Sequence, residues 1–488
     1  MKKINKAFYA LAILFAISIL LFTSCSTSHP VLQRNNLPQY VKDFSSIFSK
    51  KDIKISYDPI EVKPASPPDK PYPVHKRTIP ENWIDGELRW YVGKPTNPTD
   101  FLETSIVEFK GDFILESTVD RNFKAPPSHP KAKKPIYKLY KRKNLNAPLP
   151  KTITNSDFEL IKTLDKEEEQ GVLPQNQLAE LSDKFVIWSS ASFEFTQEWT
   201  IWGYDITNDT IFEIYSHNDA EKDFEPIEIP HYNIIEEENI LIIDITGDDK
   251  EGQLKNKIIF YDLEKRKIAK EFESNSYKRQ YLRSWWDPPS LYSINGYLYG
   301  ERFYLDNSKN ILNEYILSDI IKVNLTTFEE ETVIERSPFR LVSTSSDGKL
   351  SLVPYVKNGL CHDIWIWDIK ENKISCLEKI CYSEAHSLPP ETSSDIPSAP
   401  PEISLCNKGI QYSYREERTS EECVTFYSYK EKRVYYDYDS LGEYIDMEGR
   451  FLMYKSPYAL FNPPPPFDYP GKEDILKGYQ TFLIVKPE

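Results

Sequence analysis

The stretch from Asp363 to Lys373, DIWIWDIKENK, constrains this chain more than any other, because it recurs. With Asp368 as the anchor, an apolar run precedes it and an aromatic residue or Val stands directly before it. Apolar residues stand one and six positions after it. Ile201 to Ile206, continuing to Ile211, fits around Asp205, and Ile258 to Leu263, continuing to Ile268, fits around Asp262. Val424 to Tyr429 fits with Val434, with Ser428 in place of Asp. Ile320 to Leu325 fits around Asn324, although Glu330 breaks the last criterion. Tyr137 to Lys141 is a weaker copy, and Phe482 to Lys486 at the chain end is a seventh. The anchors 141, 205, 262, 324, 368, 428 and 486 lie 44 to 64 residues apart. Such a loose period is expected when loops vary and strands do not.

Turn residues lead into a strand ahead of each anchor. They are Lys110-Gly111, Ser182-Asp183, Glu238-Asn239, Asn295-Gly296, Asp347-Gly348, Lys408-Gly409 and Glu448-Gly449. Asn-Gly and Asp-Gly favour tight hairpins because both central residues accept positive φ. Each unit then reads as strand, tight turn, strand, variable loop, strand, four-residue turn, strand. Four antiparallel strands repeated seven times is the sequence form of a β-propeller, a seven-bladed all-β fold. Aromatics at 14% and only 3 Met agree with strands over helices. The unbroken apolar run Ile364-Trp365-Ile366-Trp367 agrees too, since a strand buried on both faces need not alternate. Trp365 and Trp367 are expected to wedge between neighbouring blades. The anchor Asp or Asn is expected to bond backbone N–H groups and nucleate the turn, a structural role.

The Tyr-Asp and Trp-Asp dipeptides at the anchors resemble the signature of WD-type repeats. Ser345 to Leu350 resembles the S-P-D-G-K hairpin of TolB-like propellers, with Ser346 where Pro is usual. This resemblance covers roughly residues 100 to 488; it implies a scaffold and leaves the activity open. The last copy stops at its third strand, so an N-terminal strand is expected to close the ring. Asp52 to Tyr57 and Glu87 to Val92 are both candidates, with a Pro-rich stretch from Pro59 to Pro80 between them. The chain therefore divides into a signal segment (1–24), a tether (25–50), a closing strand with its Pro-rich segment (51–98) and the propeller (99–488).

The N-terminus points to export. Lys2, Lys3 and Lys6 precede a run from Ala7 to Phe22 that is apolar apart from Ser18. That run is shorter than the ~20 residues that cross a bilayer core. It ends in Leu21-Phe22-Thr23-Ser24-Cys25, which resembles a bacterial lipobox, with Phe22 where Leu is usual. The resemblance implies that Cys25 is diacylated, becomes the first mature residue and holds the protein to a membrane through lipid chains such as palmitate. Ser26 stands where Asp would imply inner-membrane retention, which favours the outer membrane in a cell with two.

Losing residues 1–24 removes three lysines and takes the formal charge from −15 to −18. That is a poor match to a phosphate backbone, so no nucleic-acid partner is expected. The basic stretch between Asp120 and Asp157 reads as a solvated loop and strand end. Seven scattered histidines form no ligand pair, and there is no G-x-S-x-G elbow or P-loop. Asp244, Asp248, Asp249 and Glu251 read as a solvated acidic hairpin tip, so no metal or cofactor is expected. Cys361, Cys376, Cys381, Cys406 and Cys423 leave an odd thiol besides Cys25. A four-residue turn pairing Ile369 with Ile374 sets Cys361 opposite Tyr382, so a Cys361–Cys381 disulfide would need a bulge.

The long insertions fall in the loops joining second to third strands and blade to blade, which share one face, while the opposite face carries short turns. Long loops on a rigid scaffold are where binding is usually carried. Within them Trp285-Trp286-Asp287 is the candidate binding group, since adjacent indoles can stack on a sugar or fill a partner's pocket. Pro463 to Pro466 reads as a stiff spacer. The expected function is a lipid-anchored module that binds or scaffolds an envelope protein or glycan. The alternative is a glycan hydrolase or lyase with carboxylates gathered over the central channel.

Overall fold

The computed structural model describes residues 51–62, 79–93, 100–122, 136–164, 179–191, 199–220, 225–226, 230–248, 250, 254–274, 292–303, 318–354, 361–381, 402–415, 422–437, 446–454 and 472–486, apart from a few positions within them. These residues form seven sheets. In chain order the first three hold Asp100–Lys110, Phe113–Asn122, Ile136–Arg142 and Phe158–Leu164; then Glu180–Leu181, Phe185–Ala191, Trp199–Asp205 and Thr210–Ser216; then His231–Ile235, Ile240–Asp248, Leu254–Asp262 and Lys267–Ser274. The fourth and fifth hold Tyr292–Ile294, Tyr297–Phe303, Ser318–Asn324 and Glu330–Ser337; then Phe339–Ser345, Lys349–Pro354, Cys361–Asp368 and Lys373–Cys381. The sixth holds Glu402–Cys406, Gly409–Arg415, Glu422–Ser428 and Arg433–Asp437, and the seventh Asp446–Met447, Arg450–Tyr454 and Tyr479–Val485. Within each sheet these consecutive strands are antiparallel neighbours.

The cores show how the sheets are joined. Among the described residues seven apolar clusters form, and each bridges one sheet to the next. Leu115 and Leu139 of the first sheet meet Val186 and Trp188 of the second. Ile187 and Ile201 of the second meet Leu241 and Ile259 of the third. Phe260 meets Leu298 and Val323 of the fourth, and Tyr299 and Ile320 meet the fifth. Ile364 and Ile366 meet Leu405 and Ile410 of the sixth. Phe426 meets Leu483 and Val485 of the seventh, and Phe482 and Ile484 return to Ile106 and Phe109 of the first. The circuit is closed, and the fold is an all-β propeller.

The stretch Ile364 to Trp367 shows why both faces are apolar. Trp365 and Trp367, 0% and 2% exposed, pack with the fourth sheet, where Tyr299 meets Trp367 edge-on at 6.1 Å. Ile364 and Ile366 point the other way, into the sixth. Each such side chain contributes about 1.5–3 kcal/mol on burial, so the run stabilises two interfaces at once.

The anchors end strands as expected. Five third strands stop on the anchor itself, at Asp205, Asp262, Asn324, Asp368 and Ser428, and the other two stop at Arg142 and Val485. In those five copies the anchor side chain accepts the N–H three residues on: Asn208, Lys265, Thr327, Glu371 and Glu431, at 2.8–3.2 Å. The following residue, Asp209, Arg266, Phe328, Asn372 or Lys432, takes φ of 47–57°. One turn is built five times. Burial of Asp205 opposes ionisation, but bonds from Asn208 and Arg266 outweigh it and hold its carboxyl below the usual range.

An N-terminal strand closes the ring, and the structure chooses between the two candidates. The strand Ile84–Tyr91, here β2, pairs antiparallel with Tyr479–Val485 and supplies the outer strand of the seventh sheet. The strand Lys54–Val62, here β1, instead lies parallel to Lys373–Cys381 as a fifth, outermost strand of the fifth sheet.

Three further expectations need correction. The third-to-fourth connection of the first sheet is not a short turn: it runs from Arg142 to Phe158, and its strand Thr152–Thr154 pairs parallel with β2. The insertion latches the closing strand. Asp244 is not at a solvated tip: it is 3% exposed, opposite His231 and Ile258 in the third sheet. Cys361 stands opposite Cys381, not Tyr382: the turn pairs Asp368 with Lys373 in place of Ile369 with Ile374, and a bulge between Ile364 and Trp365 then shifts the register by one residue.

Candidate functional site

The first strand of each sheet borders the central channel and has a hydrogen-bonded neighbour on one side only. Its other edge carries N–H and C=O groups that need partners. Glutamates reach across from the preceding sheet. Glu108 accepts the Leu181 N–H at 2.7 Å, and Glu180 accepts the Ile234 N–H at 2.7 Å. Glu301, on the second strand of the fourth sheet, accepts the Leu341 N–H of the fifth at 3.1 Å. Each bond joins two sheets near the axis.

Burial pushes the Glu108 carboxyl up to about 7, against the opposing pull of Lys110 and the Leu181 N–H. Burial also pushes Glu180 up to about 8; the charge of Glu108 adds to this, while the Ile234 N–H and Lys110 oppose it. Near neutral pH these carboxyls therefore retain protons that a surface glutamate has lost. Lys110 pairs with Glu236 of the third sheet. Tyr232, hydrogen-bonded with Ser189, has its hydroxyl pushed well up by burial, with Tyr137 and Glu180 beside it. A carboxyl that holds its proton at neutrality can serve as a general acid; here it also caps an edge strand.

Glu108 and Glu180 escape a sequence motif search because their partners are backbone groups of another sheet. A signal did exist. Each stands two residues ahead of its tight-turn pair, Lys110-Gly111 or Ser182-Asp183, within an otherwise apolar strand end. This group lies at the short-turn end of the ring, away from the long loops.

The long-loop end presents a different chemistry. Tyr91, at the end of β2, is 48% exposed, and its ring meets Tyr479 edge-on at 5.3 Å. The Arg89 guanidinium lies 5.1 Å from the Tyr479 ring centre and 2.6 Å from the Asp474 carboxylate. Leu476, 54% exposed, ends the short helix Lys472–Leu476 just before that strand. The Asn155 side chain holds Tyr91 from both sides, accepting its N–H at 2.6 Å and donating to its carbonyl at 3.3 Å. The ring-closing strand thus delivers an ordered aromatic pair to this end.

Cys25, Trp285, Trp286, Asp287 and Pro463 to Pro466 lie outside the described residues. Among the described residues no three His, Cys, Asp or Glu side chains gather closely enough to hold a metal ion, and no helix is long and apolar enough to cross a membrane.

The closed circuit of sheets defines the class: the chain is a β-propeller protein. No family model and no curated protein matches it. Among solved structures, the β-propeller domain of the trilobed protease from Pyrococcus furiosus is 13% identical, with a TM-score of 0.42, over 73% of this chain and 92% of that one. The Pyrococcus horikoshii acylaminoacyl peptidase is 11% identical, with a TM-score of 0.43, over 72% of this chain; only 49% of its own length is matched. An oligogalacturonate lyase in complex with manganese is 10% identical, with a TM-score of 0.41, over 80% of this chain and 92% of that one. Likenesses this remote assign no activity to this chain.

Proposed function

We propose that this chain is an exported, lipid-anchored β-propeller of seven blades that binds or scaffolds an envelope protein or glycan through its long-loop face. The observation that supports this reading most is the asymmetry of the ring. Third-to-fourth connections of four residues recur at one end, built on the anchor turn. The connections spanning 275–291, 304–317, 382–401 and 455–478 all leave from the other. Exposed Tyr91 and its half-buried partner Tyr479 lie at that second end, and aromatic side chains suit both protein and sugar partners. Cys25 would carry the lipid, and residues 25–50 would tether the ring to an outer membrane.

Photo-cross-linking in intact envelopes tests this. A photoreactive residue in place of Tyr91 is expected to give a discrete adduct that one at Lys370, exposed at the short-turn end, does not give. Adducts from Lys370 alone would contradict the reading. Labelled palmitate is expected to enter the parent and not the Cys25→Ala variant; equal labelling of both would refute the anchor.

The raised carboxyls of Glu108 and Glu180 support a second reading, a glycan hydrolase or lyase acting at the channel. In that case Glu180→Gln abolishes release of new sugar ends from envelope glycans. Release by both proteins, or by neither, removes this reading.

A further inference from the structure

We propose that Cys361 and Cys381 form a cross-strand disulfide that fastens the outer hairpin of the fifth sheet, the blade on which β1 docks. The inference rests on the export reading above, because cytosolic thiols are kept reduced. Counting back from the turn pair Asp368 and Lys373, an unbroken ladder would leave Cys361 and Cys381 on opposite faces. The ladder is broken. Ile364 pairs with Glu378 but Trp365 pairs with Cys376, so Leu377 is the extra residue of a bulge. Beyond it, Cys361 and Cys381 become direct register partners. Residues directly opposite each other share a face, with Cα atoms ~4.5–5.5 Å apart, inside the ~4.4–6.8 Å range of disulfides. Bulges are specific features that re-aim side chains, and this one brings two of the five cysteines beyond Cys25 into register.

The position gives the bond a use. Cys361 opens its strand and Cys381 ends the next, both at the long-loop end where the 382–401 connection departs. Next to Cys381, Ile380 pairs with Val62 at the end of β1. Tension from an N-terminal tether would act on this outer edge, and a covalent link keeps the hairpin from peeling. The chemistry balances with a disulfide oxidant, such as an exported dithiol oxidoreductase. One cysteine thiolate attacks the oxidant's S–S bond, forming a mixed disulfide and releasing one oxidant thiol. The second thiolate displaces the other. The two cysteines lose two protons and two electrons, and the oxidant becomes a dithiol.

The test is peptide mapping of the full chain without reduction, in two arms. In the first, purified reduced protein is incubated with oxidised glutathione, which probes the geometry independently of compartment. After trypsin and a Glu-specific protease, which cuts between Cys381 and Cys406 at Glu384, Glu391 and Glu402, the peptide carrying Cys361 is expected to be joined to the one carrying Cys381, two hydrogens lighter than their sum. Cys376 falls in a separate peptide and is expected to stay unlinked. Linkage of Cys361 to Cys376, Cys406 or Cys423, or two alkylated thiols at 361 and 381, would overturn the proposal. In the second arm, protein is taken from envelopes. Linkage in the first arm with free thiols in the second would refute the bond in the exported protein and count against the export reading, while leaving the geometry intact. As an independent readout, oxidation is expected to raise the thermal midpoint of the parent and of Cys376→Ala, and to leave that of Cys381→Ser unchanged. An equal rise in all three would also overturn it.

Discussion

The strands β1 and β2 look alike in sequence and do different work. β2 has neighbours on both sides, Tyr479–Val485 antiparallel and Thr152–Thr154 parallel. Its Leu88 and Trp90 are fully buried against the first sheet, and Trp83 just before it packs on Phe426 and Tyr435 of the sixth. The Trp90 Nε1–H donates to the buried Glu116 carboxylate at 2.7 Å. β1 has one neighbour, and its Ile55 and Tyr57 are only partly buried against a single cluster. A strand closes the ring when its side chains fill both flanking interfaces; a strand that covers one edge decorates it.

Truncation should separate the two most strongly. A chain beginning at residue 63 is expected to unfold cooperatively in denaturant, whereas one beginning at residue 94 is expected to lose the cooperative transition. Equal behaviour would erase the distinction. Next, Trp90→Ala should cost about 3–5 kcal/mol, with a further penalty for the orphaned Glu116 oxygen. Tyr57→Ala, which loses a ring contact of 5.6 Å with Trp365, should cost about 1–2 kcal/mol. Denaturant midpoints read both.

The comparison extends to inner edges, which carboxyls cap where outer edges are capped by strands. Glu180 holds its proton more tightly folded, at about 8, than unfolded, at the ordinary 4.5. Its contribution to stability is therefore full below 4.5 and is lost as pH rises through 8. Glu180→Gln is expected to flatten that decline, gaining on the parent at pH 8 relative to pH 4.5. A constant offset across this range would show that the carboxyl is not perturbed. The smallest effect concerns the repeated turn. Lys432→Gly relieves a left-handed residue and should gain about 0.5 kcal/mol. Asn372→Gly should gain nothing, because it also removes the Asn372 side-chain bonds at 3.2 Å to the Lys51 and Asp52 carbonyls that seat β1.

Much of the fold was readable because the repeat is local. Asp205, Asp262, Asn324, Asp368 and Ser428 sit at strand ends and bond within their own turn, so spacing along the chain reveals them. The choice between β1 and β2 was not readable, since both are short strands of similar pattern and only the packing around Leu88 and Trp90 distinguishes them. The insertion after Arg142 hid its strand Thr152–Thr154 because its partner lies in the last sheet. The bulge at Leu377 carries no Gly or Pro to mark it. The Glu108 and Glu180 bonds run between sheets, and the Tyr91 and Tyr479 pair joins opposite ends of the chain, so neither leaves a local motif.

Hydrogen–deuterium exchange on the intact chain tests ring closure by β2 most directly. The ring predicts that amides of 84–91 exchange as slowly as those of 479–485 and much more slowly than those of 54–62. Exchange of 84–91 as fast as 54–62, with 479–485 left exposed, would contradict it.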